Sequence, residues 1–407
     1  MHSVSSFLQL SLVLTIIILA AKAGGWVSAR LHQPAVLGEL LAGLILGPTF
    51  INLLHLTPFD SPSLEETVLN LAELGAVLMM FIAGMEVDLK EMARAGRVAA
   101  LAGILGVAVP LLAGALVAVP FGHGGDEAVF VGIILTATSV SISAQTLLEL
   151  GVLRTREGLA MLGAAVVDDI LVIVLLSITL ALLGGANAPG AVVIVFVKIV
   201  IYLVLAGVAG WLVLPPLMRW VDRQPISEGL AALVFSSVLL FAWAAEVVGG
   251  LAAITGAFLA GVGLSRSPLR DKTEGKIRTI TYTFLVPVFF VSIGLQADAR
   301  SITGPSLLFL GVLLLVAVVS KVVGSGAGAR LGGFSGSQAL RVGVGMVSRG
   351  EVGLIVAAVG VSQGLVDPAL FSVVVVLVLL TTILTPVLLR QVFPAAARSG
   401  PTRAEEG

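Results

Sequence analysis

Apolar stretches of about 20 residues, the length that lets a helix cross a bilayer, follow one another along almost the whole of this 407-residue chain. They run near 6–28, 35–54, 66–87, 97–118, 127–149, 157–184, 189–215, 227–247, 250–265, 279–297, 305–329, 339–363 and 368–393. The reading is therefore of about 13 transmembrane helices with short connections and no inserted soluble domain. Residues 394–407 form a short Ala, Arg, Pro and Glu tail, too small to bury a core. The first stretch is read as a span and not as a signal peptide. Ala21-Lys22-Ala23 resembles a cleavage site, but Met1 to Ser6 hold no Lys or Arg.

Composition agrees. Hydrophobic residues make up 58% of the chain and charged residues 12%, against about a quarter charged in soluble domains. A soluble enzyme, a nucleic-acid binder and a disordered chain are excluded. The net charge of -1 supplies no global field for recruiting a partner. The absence of cysteine removes disulfides, thiolate metal sites and thiol nucleophiles. The 47 glycines permit close helix packing and helix breaks. The fold class is an all-α polytopic membrane protein whose first partner is the lipid bilayer, and no cofactor is expected.

Lys and Arg placement sets the orientation. With the N-terminus outside and the C-terminus cytoplasmic, Arg300 is the one basic residue in an outside loop. Lys22, Lys198, Lys321 and Arg349 fall within spans, and the rest of the 23 basic residues lie inside. This is the topology expected of a multi-pass protein of a cell's inner (plasma) membrane.

An ionisable side chain at mid-bilayer costs at least a few kcal/mol, so each needs a reason. Asp168 and Asp169 lie in Gly163-Ala-Ala-Val-Val-Asp-Asp-Ile-Leu-Val. Arg156 is ~18 Å before Asp168 and Gly184 ~24 Å after it at 1.5 Å per residue, which puts the pair near the midplane. Adjacent helical residues point about 100° apart, so the two acids need different partners. Lys321, in Ala317-Val-Val-Ser-Lys-Val-Val-Gly, is ~14 Å from Arg330, a long reach for a lysine snorkelling to the interface. A buried Asp–Lys pair, balanced between desolvation and mutual attraction, can gain and lose protons during a cycle.

Two segments interrupt their apolar runs. Gly343-Val-Gly-Met-Val-Ser-Arg-Gly-Glu-Val-Gly holds four glycines, Arg349 and Glu351. It predicts a broken helix, tolerated only when buried in protein or lining a wet cavity. Arg349 and Glu351 are read as structural charges at this break, with a direct part in transport left open. Leu135-Thr-Ala-Thr-Ser-Val-Ser-Ile-Ser-Ala-Gln packs five hydroxyls into eight residues. It reads either as interhelical hydrogen-bond glue or as a second break offering oxygen ligands. Glu39, Glu73, Glu86, Lys22, Lys198 and Glu246 lie toward span ends or on mixed faces and read as anchors or packing contacts.

The breaks fall in the fifth and twelfth spans, and an odd offset gives the flanking triplets opposite topology. That is the pattern of an inverted repeat with two crossing discontinuous helices, which places ions near mid-membrane. Like helix-end dipoles would meet at such a crossing, and buried charges would offset them.

At these residues the chain resembles the monovalent cation:proton antiporters of the second branch, most of all bacterial sodium/proton antiporters with an Asp-Asp pair. The strings that carry the resemblance are Gly38-Glu-Leu-Leu-Ala-Gly-Leu-Ile-Leu-Gly-Pro, Phe81-Ile-Ala-Gly-Met-Glu, Ala137-Thr-Ser-Val-Ser-Ile-Ser-Ala, Val167-Asp-Asp, Gly256-Ala-Phe-Leu-Ala-Gly, Phe289-Phe-Val-Ser-Ile-Gly and Ser348-Arg-Gly-Glu-Val-Gly-Leu. The resemblance implies that Asp169 is the cation and proton carrier and the ligand of Na+. It implies that Asp168 pairs with Lys321, and that Thr138 and Ser139 lend oxygens from an unwound segment. It also implies a homodimer with core helices near 97–184 and 305–393, scaffold helices near 6–87 and 227–297, and a linker helix near 189–215. Glutathione-gated potassium-efflux members carry Gln-Asp in place of this Asp-Asp pair and append a nucleotide-binding domain. Some spore-germination members exchange potassium as well, and the Val347-Ser-Arg-Gly-Glu stretch is similar to theirs.

The expected activity is a secondary transporter, not an enzyme: exchange of Na+ or Li+ for H+ by an elevator-type mechanism, electrogenic in net charge. K+/H+ or Na+/H+-K+ exchange is the alternative. A sodium-coupled solute symporter and an intramembrane aspartyl protease are more remote. The protease needs two carboxylates facing each other from different helices, which adjacent residues of one helix do not readily do.

Overall fold

The computed structural model describes residues 5–31, 33–56, 59, 62–85, 89–183, 188–265, 267–296, 300, 302 and 304–393. In chain order its α-helices are α1 (Ser6–Arg30), α2 (Ala35–Leu46), α3 (Pro62–Met85), α4 (Leu89–Ala118), α5 (Asp126–Thr136), α6 (Val140–Glu149), α7 (Arg156–Leu183), α8 (Ala188–Val208) and α9 (Leu214–Asp222). They continue as α10 (Gly229–Ala244), α11 (Ala253–Leu264), α12 (Arg270–Ile280), α13 (Val286–Leu295), α14 (Pro305–Leu331), α15 (Gly336–Gly345), α16 (Glu351–Ser362) and α17 (Pro368–Val392). No strand occurs among the described residues. Ten helical segments are long and apolar enough to cross a membrane, α5 and α6 together forming one of them. Three shorter apolar helices, Ala35–Leu46, Ala253–Leu264 and Val352–Val361, accompany them. The chain is thus an all-helical, multi-pass membrane protein.

The chain divides into two compact units. One consists of Met1–Gly24, Gly38–Leu89 and Ile173–Ala299, and the other of Gly25–Leu37, Lys90–Val172 and Arg300–Gly407.

In the first unit, α3 packs on α11 and α13, and α10 on α11. Small residues make this approach close: a Cβ at Gly261 would collide with the carbonyl of Phe81, and one at Gly84 with that of Phe258. In a membrane, where helices gain little from leaving lipid, such close backbone packing is a main source of association. Lys272 pairs with Asp222, and Lys276 with Glu228 at 2.6 Å. Lys22 reaches Glu39 at 3.4 Å and donates to the Tyr282 carbonyl at 3.0 Å.

In the second unit, α14 lies against α4 along Gly324, Gly328 and Gly332, spaced one turn apart. Added Cβ atoms there would strike Leu105, Leu101 and Val98 of α4. α14 also packs on α15 and α17, while α16 packs on α5 and α17. Helix starts are capped as the sequence favours: Asp367 accepts from Leu370 N at 2.6 Å before Pro368, and Ser335 with Gln338 forms a capping box at α15. This unit holds both interrupted helices and the buried charges that follow.

Candidate ion-binding site

The first interruption separates α5 from α6 at Ala137-Thr138-Ser139, where Ser139 is extended (φ -86°, ψ 105°). The second separates α15 from α16 at Met346 to Gly350. Both unwound stretches expose backbone groups that lack helical partners, and in an apolar setting those groups must bond elsewhere. They bond to each other. Ser139 N donates to Ser348 O at 2.9 Å, and Ser348 Oγ donates to Ser139 O at 2.8 Å. Ser143 Oγ donates to Gly345 O at 2.5 Å and lies 3.0 Å from Ser348 Oγ. Gly350 makes this approach feasible, because a Cβ there would lie 2.6 Å from Ser139 Oγ.

Arg349 holds the second break. Its side chain is almost fully buried, and Nη1 donates to Val347 O at 2.6 Å while Nη2 donates to Ala317 O of α14 at 3.1 Å. Its own N–H donates to Thr381 Oγ1 at 3.3 Å, and Thr382 Oγ1 donates to its carbonyl at 2.7 Å. The guanidinium thus sits on the carbonyl-rich end of α15, where the helix dipole favours a cation. The side chain of Glu351 lies outside the described residues, and its backbone begins α16.

The hydroxyl-rich segment now divides by role. Thr136 Oγ1 bonds Ile133 O at 2.6 Å, Ser139 and Ser141 hydroxyls are 3.2 Å apart, and Ser143 bonds the second break. Those four hydroxyls are structural glue. Thr138 Oγ1 is buried, bonds none of the other hydroxyls of the segment, and faces the Asp168 carboxylate.

Asp168 and Lys321 form the buried pair. Lys321 Nζ lies 2.8 Å from Asp168 Oδ1, with both side chains at 0% exposure. Nζ also donates to the carbonyl of Gly106 on α4 at 2.7 Å. Asp169, 2% exposed on the same helix, acts electrostatically on Lys321 as well. Arg349 likewise acts on both Asp168 and Lys321. Two acids and two bases therefore share one buried region, and their formal charges cancel. Removing an isolated charge from water costs several kcal/mol, so the constellation is tolerable as a set and not one by one. Around it, Ser320 Oγ and Ser325 Oγ are buried without a hydrogen-bond partner among the described residues, and the Thr138 hydroxyl meets only the Asp168 carboxylate. Unsatisfied buried oxygens are rare and call for water, a proton or an ion, and an all-oxygen donor set suits a hard monovalent cation.

Sequence reasoning did not find Gly106, whose part is played by a carbonyl, nor Thr381 and Thr382. A signal existed for the threonines: Thr381, Thr382 and Thr385 crowd the apolar run of α17, and all three are buried.

Two interrupted helices laced together, with a neutral cluster of buried charge beside them, are the features of an ion-carrying secondary transporter. The chain belongs to the sodium/hydrogen exchanger family of transmembrane proteins, whose family model matches residues 14–393. It is 39% identical over 390 residues to the Na(+)/H(+)-K(+) antiporter GerN of Bacillus cereus, covering 96% of each chain. It is 35% identical over 384 residues to a Na(+)/H(+) antiporter of Enterococcus hirae, covering 93% of this chain and 96% of the relative. The high-affinity Na(+)/H(+) antiporter NhaS3 of Synechocystis is 35% identical over 429 residues, covering 95% of this chain and 90% of the relative. Among solved structures, the sodium proton antiporter MjNhaP1 of Methanocaldococcus jannaschii superposes with a TM-score of 0.63 over 94% of this chain and 96% of that one. At 17% identity this likeness bears on the fold alone.

Proposed function

We propose that this monovalent cation:proton antiporter exchanges Na+ for H+ at one shared seat, the carboxylate of Asp169. The observation that carries the reading is the buried Asp168–Lys321 pair, 2.8 Å apart, beside two laced helix breaks and a buried Thr138 hydroxyl that faces Asp168. Na+ takes oxygens from Asp169 and the Thr138 segment, and a proton takes the same carboxylate in its absence. Competition for one group couples the two flows without a second site. Ser139 is already engaged with Ser141 and Ser348, so its contribution to the cation is through position more than through a free hydroxyl.

Charge balance supports electrogenic exchange. With Asp169 protonated and Lys321, Arg349 and Asp168 charged, the site carries one net positive charge. With Na+ bound and Lys321 having given up its proton, it carries none. Two protons then cross for each Na+. The second unit, which holds every group of this constellation, acts as the moving carrier of an elevator, and the first unit serves as scaffold and dimer surface. The N-terminus faces outside and the tail the cytoplasm of an inner membrane, from the basic residues on one side.

The test uses proteoliposomes and lumenal pH after a sodium pulse. Asp169→Asn abolishes the pH response, and normal exchange by that variant sinks the assignment. Lys321→Gln lowers the sensitivity of exchange to an imposed potential, and an unchanged response removes the lysine from coupling.

A second reading is Na+/H+-K+ exchange, favoured by the printed activity of the Bacillus cereus relative. Swapping Na+, Li+ and K+ in the same assay separates the two: potassium alone collapses a preset pH gradient only under the second.

A further inference from the structure

The first unit contains a cleft of about 330 Å³ between the C-terminal part of α8 with α9 and the face of α11. Its walls are mostly apolar side chains and glycines, among them Leu259, Gly207 and Trp211, and Arg219 stands in its lining. The cleft exists because small residues line it. Gly210 and Gly263 meet backbone to backbone, a Cβ at Gly263 falling 2.8 Å from Gly210 Cα. Gly207 looks into open space, where an added Cβ would meet nothing within 4 Å. The helix changes its winding beside the cleft, with a π-turn over Ala209–Val213. Such turns insert an extra residue and recur at functional sites.

The chemistry at the two ends of the cleft differs. Along the helix wall, Trp211 and Leu212 are about two-thirds exposed, a surface made for acyl chains. About two turns on come Arg219 and Trp220, the combination of cation and aromatic ring that marks a membrane–water interface. Three nearby bases have partners: Lys272 is held by Asp222, Lys276 by Glu228, and Arg270 by Glu274 at 3.2 Å. Arg219 is exposed and has no hydrogen bond or ion pair among the described residues. An uncompensated cation in the lining of an apolar cleft calls for an amphiphile with an anionic head.

We infer that this cleft binds one anionic phospholipid, with an acyl chain against Gly207 and Leu259 and its phosphate on Arg219. The lipid comes from the leaflet on the arginine-rich side. This site lies wholly within the first unit and is independent of how Asp169 handles ions.

The experiment is native mass spectrometry of the purified full chain in detergent, titrated with dioleoyl phosphatidylglycerol, dioleoyl phosphatidylcholine or glycerol 3-phosphate. The anionic lipid is retained about five-fold better than the zwitterionic one, the gain expected of one arginine near an anionic head. Glycerol 3-phosphate, which lacks the chains, does not displace it. Gly207→Phe fills the cleft and Arg219→Gln removes the cation, and each lowers phosphatidylglycerol occupancy about five-fold. Gly311→Phe, at an open position of α14 in the other unit, leaves occupancy unchanged. Arg219 is at the surface, so Arg219→Gln folds, and its elution volume and melting temperature match the parent. Unchanged occupancy in both cleft variants, equal loss in Gly311→Phe, equal retention of phosphatidylcholine, or displacement by glycerol 3-phosphate each overturns the proposal.

Discussion

The two units treat charge in opposite ways. In the first, Lys272–Asp222 and Lys276–Glu228 are ion pairs with the lysine side chains about half exposed. In the second, Lys321 and Asp168 face each other at 2.8 Å with no exposure at all. The chemical groups are alike, and the surroundings decide what they are worth. An exposed pair exchanges water for a partner at little net gain. A buried pair has lost its water, so either member left alone carries the full desolvation penalty. Charge of the second kind persists only where something other than stability requires it.

The comparison can be broken by removing one member at a time. Lys321→Ala leaves Asp168 buried beside Thr138 and Arg349, and about 3–5 kcal/mol of stability is lost. The check is the thermal midpoint of the purified protein in detergent, which falls by several degrees. Combining Asp168→Asn with Lys321→Gln recovers more than half of that loss, because no unpaired charge remains, although exchange stays impaired. If the double variant is as unstable as Lys321→Ala alone, desolvation is not the cause. Next in size is Gly328→Leu, which drives a side chain into the Leu101 carbonyl of α4 and costs about 1–3 kcal/mol by overpacking. Glycine at Gly311, which meets nothing within 4 Å, accepts the same change with little effect on the midpoint. The smallest effect belongs to the exposed pair: Lys272→Ala changes stability by at most about 1 kcal/mol, and raising the salt concentration removes even that. A loss as large as that of Lys321→Ala would erase the distinction between the units.

The comparison also separates what could be read from residues alone. Depth along a helix is a matter of counting, so Asp168, Asp169 and Lys321 stood out from their distance to the nearest span ends. Helix breaks were equally visible. Four glycines with an arginine and a glutamate, or five hydroxyls in eight residues, cannot continue an apolar helix without a reason. The structure places the unwound residues at 137–139 and 346–350, within those two strings.

Partnership was not visible in residue spacing; the resemblance alone paired Asp168 with Lys321. The carbonyl of Gly106 has no side chain to announce it, yet it takes one of the hydrogen bonds of Lys321. The hydroxyl cluster left two roles open, and in the fold four of its hydroxyls bond within or between the two breaks while that of Thr138 lies beside Asp168. Arg349 was read as a charge at a break, but its partners are backbone carbonyls of its own break and of α14.

By itself the sequence determined a helical membrane chain, where its helices fail, and which ionisable groups lie too deep for water. These follow from local rules: the length of an apolar run, the period of a helix, and the cost of a charge in hydrocarbon. Spacing left open which carboxylate takes the lysine, which the resemblance gave as Asp168; only the tertiary structure decided that the Gly106 carbonyl shares that lysine and that the two breaks satisfy one another's backbone. Those are contacts between residues more than 100 positions apart, such as Lys321 with Asp168 and Ser348 with Ser139. A hydrogen bond is made or lost within an ångström, a precision that helix packing supplies and residue order does not.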